Sequence, residues 1–270
     1  MRATYLMAGL FAASLSSAAS AGVIFSQDFE TDTNGWFDAD NGWTGQIDRE
    51  ASGTGGLTSF DGAFHARVTQ SNTEGVGLSA PYSNFAGVND GTPFLEPVSV
   101  RTAIYLDTEM AAGEGFDYSS ALNPIGAGFL QDFIFHVSKD SSQNQLLVGG
   151  SNNTNFDPRQ DLENLNSYAV STSGWYIFEH AFRNDGGALV GDLNLYDAGE
   201  NLLFTESRTA TSYTFADVGD VRYSWFTNVD VSGGIAIDGF SLNEGGTVPV
   251  PATLGLLAIG LLGLRLRRQR

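Results

Sequence analysis

The chain has 270 residues, contains no cysteine, and carries 13 basic against 31 acidic residues, for a formal net charge of −18. The absence of cysteine excludes a disulfide-held fold, so stability must come from a hydrophobic core or from a bound metal. The shortage of basic residues argues against nucleic-acid and anionic-lipid binding, because both need a positively charged surface.

The first 21 residues have the organisation of a secretory signal peptide. Met1-Arg2 is a short positive start, residues 6–15 are apolar, and Ala19-Ser20-Ala21 is a small-residue cleavage site. We therefore expect cleavage after Ala21 and export of the remainder.

Residues 22–246 are the predicted working domain, with a net charge of −23, because all 31 acidic but only eight of the 13 basic residues lie there. Apolar and polar residues alternate with a period of two along residues 97–108 and 129–138, as in strands with one buried face. A turn at residues 197–200 predicts a hairpin, and residues 161–168 are the one helical candidate. Further predicted strands are 23–29, 45–50, 63–70, 145–149, 175–182, 189–196, 201–206, 221–227 and 234–242. This pattern predicts an all-β fold, a single jelly-roll or concanavalin-like β-sandwich.

Two stretches of this domain resemble the first and last strands of jelly-roll carbohydrate-binding modules: residues 27–30 followed by Asn34-Gly35-Trp36, and residues 235–242. Between them, a block at 174–187 resembles a recurring block in ectodomains of concanavalin-like or carbohydrate-module type. The resemblance implies a structural calcium that ties the first strand to the last through Asp28, Glu30 and Asp238, because calcium is bound by several carboxylate oxygens. The alternative is that Glu30 lies on a solvated turn and Asp238 caps a strand end.

Catalytic motifs are missing from the sequence. The Glu-x-Asp-x-x-Glu pattern of glycanases on this type of sandwich does not occur, and the nearest acidic cluster, Asp157, Asp161 and Glu163, has a different spacing. Gly-x-Ser-x-Gly is absent as well. A polysaccharide lyase would have to recruit residues from distant strands: His136, His180, Tyr176, Arg101 and Arg183. We therefore predict no catalytic residues.

Tryptophans are the candidate ligand-binding residues. Trp36 and Trp43 lie in polar, glycine-rich segments, where an exposed aromatic ring is able to stack on a sugar, although a packing role stays open. Trp175 and Trp225 lie in apolar strands and are expected in the core.

The C-terminal segment, 247–270, has three parts in order. A proline-flanked entry contains Pro249 and Pro251, an apolar run follows from Ala252 to Leu264, and the end is basic, with Arg265, Arg267, Arg268 and Arg270. The apolar part reaches the lower limit for a membrane-spanning helix, and the arginines would stay on its cytoplasmic side.

This layout resembles the PEP-CTERM sorting signal of Gram-negative bacteria. The resemblance implies removal of the segment by an exosortase at the cell envelope, after a transient stay in the inner membrane. Val250 stands where the usual motif has glutamate, so the exosortase subtype stays open.

We expect an exported, non-catalytic protein of the cell surface or exopolysaccharide matrix, with glycan binding left open. The alternative is a glycan-active lyase or hydrolase on the same fold.

Overall fold

Strands that turn one face toward a common core build this domain, because successive side chains of a strand point to opposite faces of the sheet. The protein is described by a computed structural model that covers residues 22–38, 45–70, 79–88, 93, 96–126 and 128–245. Within these ranges there are fifteen strands: β1 Gly22–Gln27, β2 Trp36–Phe37, β3 Gln46–Ala51, β4 Phe64–Thr69, β5 Ser79–Ser83, β6 Val98–Leu106, β7 Gly115–Pro124, β8 Gln131–Lys139, β9 Leu146–Asn152, β10 Ser167–Val170, β11 Gly174–Asp185, β12 Ala188–Asp197, β13 Leu202–Thr214, β14 Val218–Thr227 and β15 Ile235–Glu244.

The strands form two antiparallel sheets. An eight-stranded sheet has the order β13-β12-β11-β6-β15-β4-β3, with β1 also paired to β15. A seven-stranded sheet has the order β10-β9-β8-β7-β14-β5-β2. The predicted all-β, jelly-roll or concanavalin-like sandwich is thereby confirmed.

The core lies between the two sheets and is rich in phenylalanine. Phe178 and Phe182 of β11 pack edge-on against Phe135 and Phe133 of β8, with ring centroids 4.9 and 5.4 Å apart. Each of these four side chains is at most 1% exposed. Such edge-to-face pairs add stabilisation to the burial of apolar area, so the central strands of the two sheets are held in fixed relative positions.

Most predicted strands are present within a few residues of their expected ends, and the hairpin at residues 197–200 joins β12 to β13. Four strands were not predicted: β2, β5, β7 and β10. The helical candidate at 161–168 is wrong, because Arg159–Asn164 is a 3-10 helix and β10 begins at Ser167. The polar residues of β7 obscured its alternation, although this strand lies at the centre of its sheet.

The predicted terminal segments, 1–21 and 247–270, lie outside the described residues. Within the described ranges, no helix has the length and apolar character needed to cross a membrane. The expected C-terminal membrane segment therefore stays a prediction.

Candidate functional site

A row of aromatic side chains crosses the outer face of the seven-stranded sheet. Trp225 in β14 pairs with Tyr82 in β5, and Tyr82 pairs with Phe37 in β2. Trp36 and Phe226, the neighbours of Phe37 and Trp225, stack on each other inside the sandwich. Because successive side chains of a strand point to opposite faces, Phe37, Tyr82 and Trp225 lie on the outside.

The rings of this row are half-buried and contact one another. Phe37 stacks on Tyr82 with centroids 5.1 Å apart, and Tyr223 contacts Trp225 edge-on at 5.4 Å. We call Phe37, Tyr82, Trp225 and Tyr223 the aromatic row. Mutual packing fixes the ring orientations while leaving part of each ring accessible to solvent, as a stacking surface requires.

An acidic side chain adjoins the aromatic row. Asp132 of β8 lies in register with Ala121 of β7, which pairs with Tyr223. Asp132 is 8% exposed, and its Oδ1 has no hydrogen-bond partner among the described residues. Burial raises the pKa of Asp132 to about 7, an effect that the charge of Arg222 partly offsets. This carboxyl group is therefore a buried acceptor at the edge of a stacking surface.

Each of the three histidines is close enough to a serine hydroxyl for a hydrogen bond. Nδ1 of His65 lies 3.0 Å from Ser59 Oγ, and Nδ1 of His180 lies 3.2 Å from Ser120 Oγ. His136 differs, because Ser151 Oγ lies 2.7 Å from its Nε2, and a carboxylate occupies its other side. That carboxylate, Asp117, places Oδ1 2.7 Å from His136 Nδ1.

The residues around His136 are buried on the outer face of the seven-stranded sheet. Ser151 and His136 are 0% exposed and Asp117 is 5% exposed. The second carboxylate oxygen of Asp117 accepts a hydrogen bond from Asn228 Nδ2 at 2.6 Å. The ring of Phe156 contacts His136 edge-on at 5.4 Å and is itself 56% exposed. We call Ser151, His136 and Asp117 the serine–histidine–aspartate chain.

The sequence analysis missed this arrangement because its three members come from different strands. Asp117 belongs to β7, which was not predicted, His136 to β8, and Ser151 to the end of β9. One signal was available, namely the alternation of Phe116 and Tyr118 with Asp117, which places a carboxylate on the polar face of a strand.

Two of the three predicted calcium ligands, Glu30 and Asp238, contact one short segment, residues 60–64. Glu30 Oε1 accepts hydrogen bonds from the amides of residues 63 and 64, both at 2.9 Å. Asp238 Oδ2 accepts from the amides of residues 60 and 61, at 3.0 and 3.2 Å. Asp28 Oδ1 accepts from the Glu30 amide at 3.0 Å, within its own turn.

Burial raises the pKa of Asp238 to about 6, although its hydrogen bonds from backbone amides act in the opposite direction. Across the described part of the chain, no group of three or more His, Cys, Asp and Glu residues is placed to hold a metal ion. Structural calcium therefore stays a prediction.

Of the two roles left open for Trp36, stacking on a ligand and packing, the structure supports packing. Trp36 is 6% exposed, and its ring lies 4.9 Å from that of Phe240 and 6.0 Å from that of Phe226. The sequence around it is polar, but β2 turns this side chain inward. Trp43 lies outside the described residues. Conversely, Trp175 and Trp225, expected in the core, are only half-buried.

The residues considered for a lyase do not converge. The rings of His180 and Phe135 are in contact in the core, whereas His136 lies on the outer face of the seven-stranded sheet. Arg101 and Arg183 lie on the other sheet, where they pair with Glu179 and Asp192. The acidic cluster at 157–163 does not form a carboxylate pair either, because Asp157 binds Arg208.

Comparison with known proteins identifies the C-terminal segment. Residues 247–270 match the family model described as PEP-CTERM protein-sorting motif. This chain carries a PEP-CTERM sorting motif. The motif includes Pro249, Pro251 and the four arginines predicted for sorting, and it implies export, sorting to the cell envelope and processing by an exosortase. No curated protein matches this chain.

Two solved structures match this chain. One is the CBM2 module of the evolved Dit of Lactobacillus casei BL23 phage J-1, at 12% identity and a TM-score of 0.45, covering 85% of this chain and 98% of that one. The other is a GH54 α-L-arabinofuranosidase soaked with a cyclic sulfate inhibitor, at 13% identity and a TM-score of 0.33. The second match covers 76% of this chain and 40% of that one.

Proposed function

We propose that this exported PEP-CTERM protein is a glycan-binding component of the outer cell surface or exopolysaccharide matrix. The observation that carries the proposal is the aromatic row, Phe37, Tyr82, Trp225 and Tyr223, on the outer face of the seven-stranded sheet. Aromatic faces stack on the C–H faces of sugar rings, and neighbouring strands lie about 4.8 Å apart. Phe37, Tyr82 and Trp225 therefore offer a polymer three positions along one line across β2, β5 and β14, and Tyr223 adjoins that line.

Hydrogen-bonding groups beside the row would orient a bound sugar. Asp132 supplies a carboxyl oxygen without a partner among the described residues, and sugar hydroxyls are donors that suit it. The net charge of −23 between residues 22 and 246 repels uronate and sulfate groups. A neutral polysaccharide is thus the ligand class that this surface favours.

The test is binding of the exported protein, purified from the envelope, to an array of neutral and acidic glycans. Trp225→Ala should weaken binding of a neutral glycan about tenfold, since an aromatic contact is worth about 0.5–1.5 kcal/mol and 1.4 kcal/mol is tenfold in affinity. Trp175→Ala is the matched control, because Trp175 is a half-buried tryptophan of the other sheet.

Loss of binding in Trp175→Ala alone would move the site to the eight-stranded sheet. Absence of binding to every glycan by the wild-type protein would contradict the proposal and leave a purely structural coat protein. The same array with and without EDTA reports whether a metal contributes to binding.

A further inference from the structure

The serine–histidine–aspartate chain has the connectivity of a nucleophile relay. Both oxygens of Asp117 accept hydrogen bonds, one from Asn228 Nδ2 and one from the imidazole, so His136 Nδ1 carries the proton of that contact. His136 Nε2 is then the acceptor for the Ser151 hydroxyl at 2.7 Å. Such relays are recognised by geometry and not by sequence order.

The other two serine–histidine pairs are less tightly connected. The ring of His180 contacts those of Tyr118 and Phe135 in the core, and its Nε2 has no hydrogen-bond partner among the described residues. His65 Nδ1 lies 3.0 Å from Ser59 Oγ and its Nε2 lies 3.3 Å from Glu50 Oε2, so both contacts are longer than those of His136. Among the three histidines, His136 alone has a contact of 2.7 Å on each ring nitrogen.

The serine–histidine–aspartate chain and the aromatic row lie on the same face of the seven-stranded sheet. Ser151 pairs with Ile134, Ile134 with Ser119, and Ser119 with Trp225, so one line across the sheet joins Ser151 to the stacking surface. A polymer that follows the aromatic row would reach the end of β9.

We propose that Ser151 is the nucleophile of an ester hydrolase that removes small acyl groups from a glycan. The choice of a glycan as substrate rests on the proposed glycan binding. The assignment of Ser151 as nucleophile rests on the geometry of Ser151, His136 and Asp117 alone. Ser151 Oγ bonds to the acyl carbon and its proton passes to His136 Nε2. The ester C–O bond then breaks, and the leaving sugar oxygen takes that proton. Water attacks the acyl-serine, gives a proton to His136, and releases the carboxylic acid while Ser151 Oγ regains its proton.

Access requires the segment 153–158 to move, because Ser151 is fully buried. Phe156 of this segment covers His136 with a ring that is 56% exposed, so little burial opposes its displacement. The amides of Thr154 and Asn155 donate to Asn152 Oδ1, at 3.0 and 2.7 Å. Thr154 and Asn155 follow the nucleophile by three and four residues in the chain. When the segment moves, their two amides become available as donors to the developing oxyanion.

The experiment is labelling of the full chain with a fluorophosphonate probe, followed by mass mapping of the labelled peptide. No glycan takes part, so the result is independent of the glycan array. We expect label on Ser151 and none on Ser59 or Ser120, and at least tenfold faster labelling in Phe156→Ala. Asp117→Asn should slow labelling at least a hundredfold, because the imidazole loses the partner that sets its tautomer.

Ser151→Ala should abolish labelling, whereas Ser59→Ala, the matched control, should keep it. Mapping the label in the wild-type protein needs no variant, so a folding defect in Ser151→Ala does not obscure the answer. No label on Ser151 in either the wild type or Phe156→Ala, or equal label on Ser59, would overturn the proposal. If Ser151 is labelled but the protein binds no glycan on the array, the assignment of Ser151 as nucleophile is supported and a glycan substrate is contradicted.

Discussion

Glu30 and Asp238 hold opposite ends of the same five-residue segment, although they are far apart in the chain. Glu30 accepts from the amides of residues 63 and 64, and Asp238 from those of residues 60 and 61. The first and last regions of the domain are therefore joined through the connection between β3 and β4, with carboxylates bonded to backbone amides.

Removal of the Asp238 side chain tests this connection. Asp238→Ala leaves two loop amides without an acceptor, and we expect a loss of about 1–3 kcal/mol in the free energy of unfolding. Urea denaturation of the two proteins measures it. Asp48→Ala in β3, where no side-chain hydrogen bond to a loop amide is involved, is the comparison and should change stability by less than about 0.5 kcal/mol. Similar losses in both variants would mean that the loop contacts contribute nothing.

The predicted calcium is tested by thermal unfolding in calcium and in magnesium at equal concentration. Any divalent cation screens the acidic domain, whereas calcium accepts a larger and less regular set of oxygens than magnesium. If Asp28, Glu30 and Asp238 share an ion, calcium should raise the melting temperature more than magnesium does, and Asp238→Asn should remove that difference. Equal rises with both ions would contradict the calcium site and leave the carboxylates as acceptors for backbone amides.

Trp36 should be a determinant of stability and not of ligand binding. Trp36→Ala removes a large ring from among Phe29, Phe226 and Phe240, which predicts a loss of about 3–5 kcal/mol in the free energy of unfolding. Trp36→Phe should lose less, because the indole N–H has no hydrogen-bond partner among the described residues. Chemical denaturation gives both values. Weaker glycan binding by a folded Trp36→Phe protein would restore Trp36 as a ligand-binding residue.

His180 should make the protein less stable in acid. Burial lowers the pKa of His180 to about 3, so the folded state keeps it neutral while the unfolded chain takes up a proton below about pH 6.5. The free energy of unfolding should fall by about 1.4 kcal/mol per pH unit below that point, and by about 2 kcal/mol at pH 5.

His180→Phe should remove this part of the pH dependence. The measurement is the difference between the wild type and the variant at pH 7 and pH 5. Comparison with the variant is needed because two carboxyl groups act in the opposite direction. The pKa values of Asp132 and Asp238 are raised to about 7 and about 6, so protonation of these groups stabilises the folded state as the pH falls. An identical pH profile for both proteins would show that His180 is not neutralised by burial.

Processing should remove both ends of the chain. The PEP-CTERM motif implies exosortase processing, and the sequence predicts signal cleavage after Ala21 and tail removal near Pro249 and Pro251. Intact-mass measurement of protein from the native host should show neither segment. Replacing both prolines with alanine should leave the tail attached. Mature wild-type protein that still contains Arg265 to Arg270 would contradict this prediction.

The fold class and the sorting to the cell envelope follow from local sequence patterns. Period-two alternation in segments such as 97–108 is a local pattern that does not depend on which strands are neighbours. The sorting motif in 247–270 is a linear order of prolines, apolar run and arginines. Both could therefore be predicted without knowing which strands are neighbours.

Pairing between distant strands determines which side chains form a site. Asp117, His136 and Ser151 meet because β7, β8 and β9 are adjacent, and Trp225 meets Tyr82 because β14 pairs with β5. The polar sequence around Trp36 left packing and ligand binding both open, and the direction of β2 places the ring in the core. Strand order and facing are set by long-range pairing and burial, which no short stretch of sequence contains.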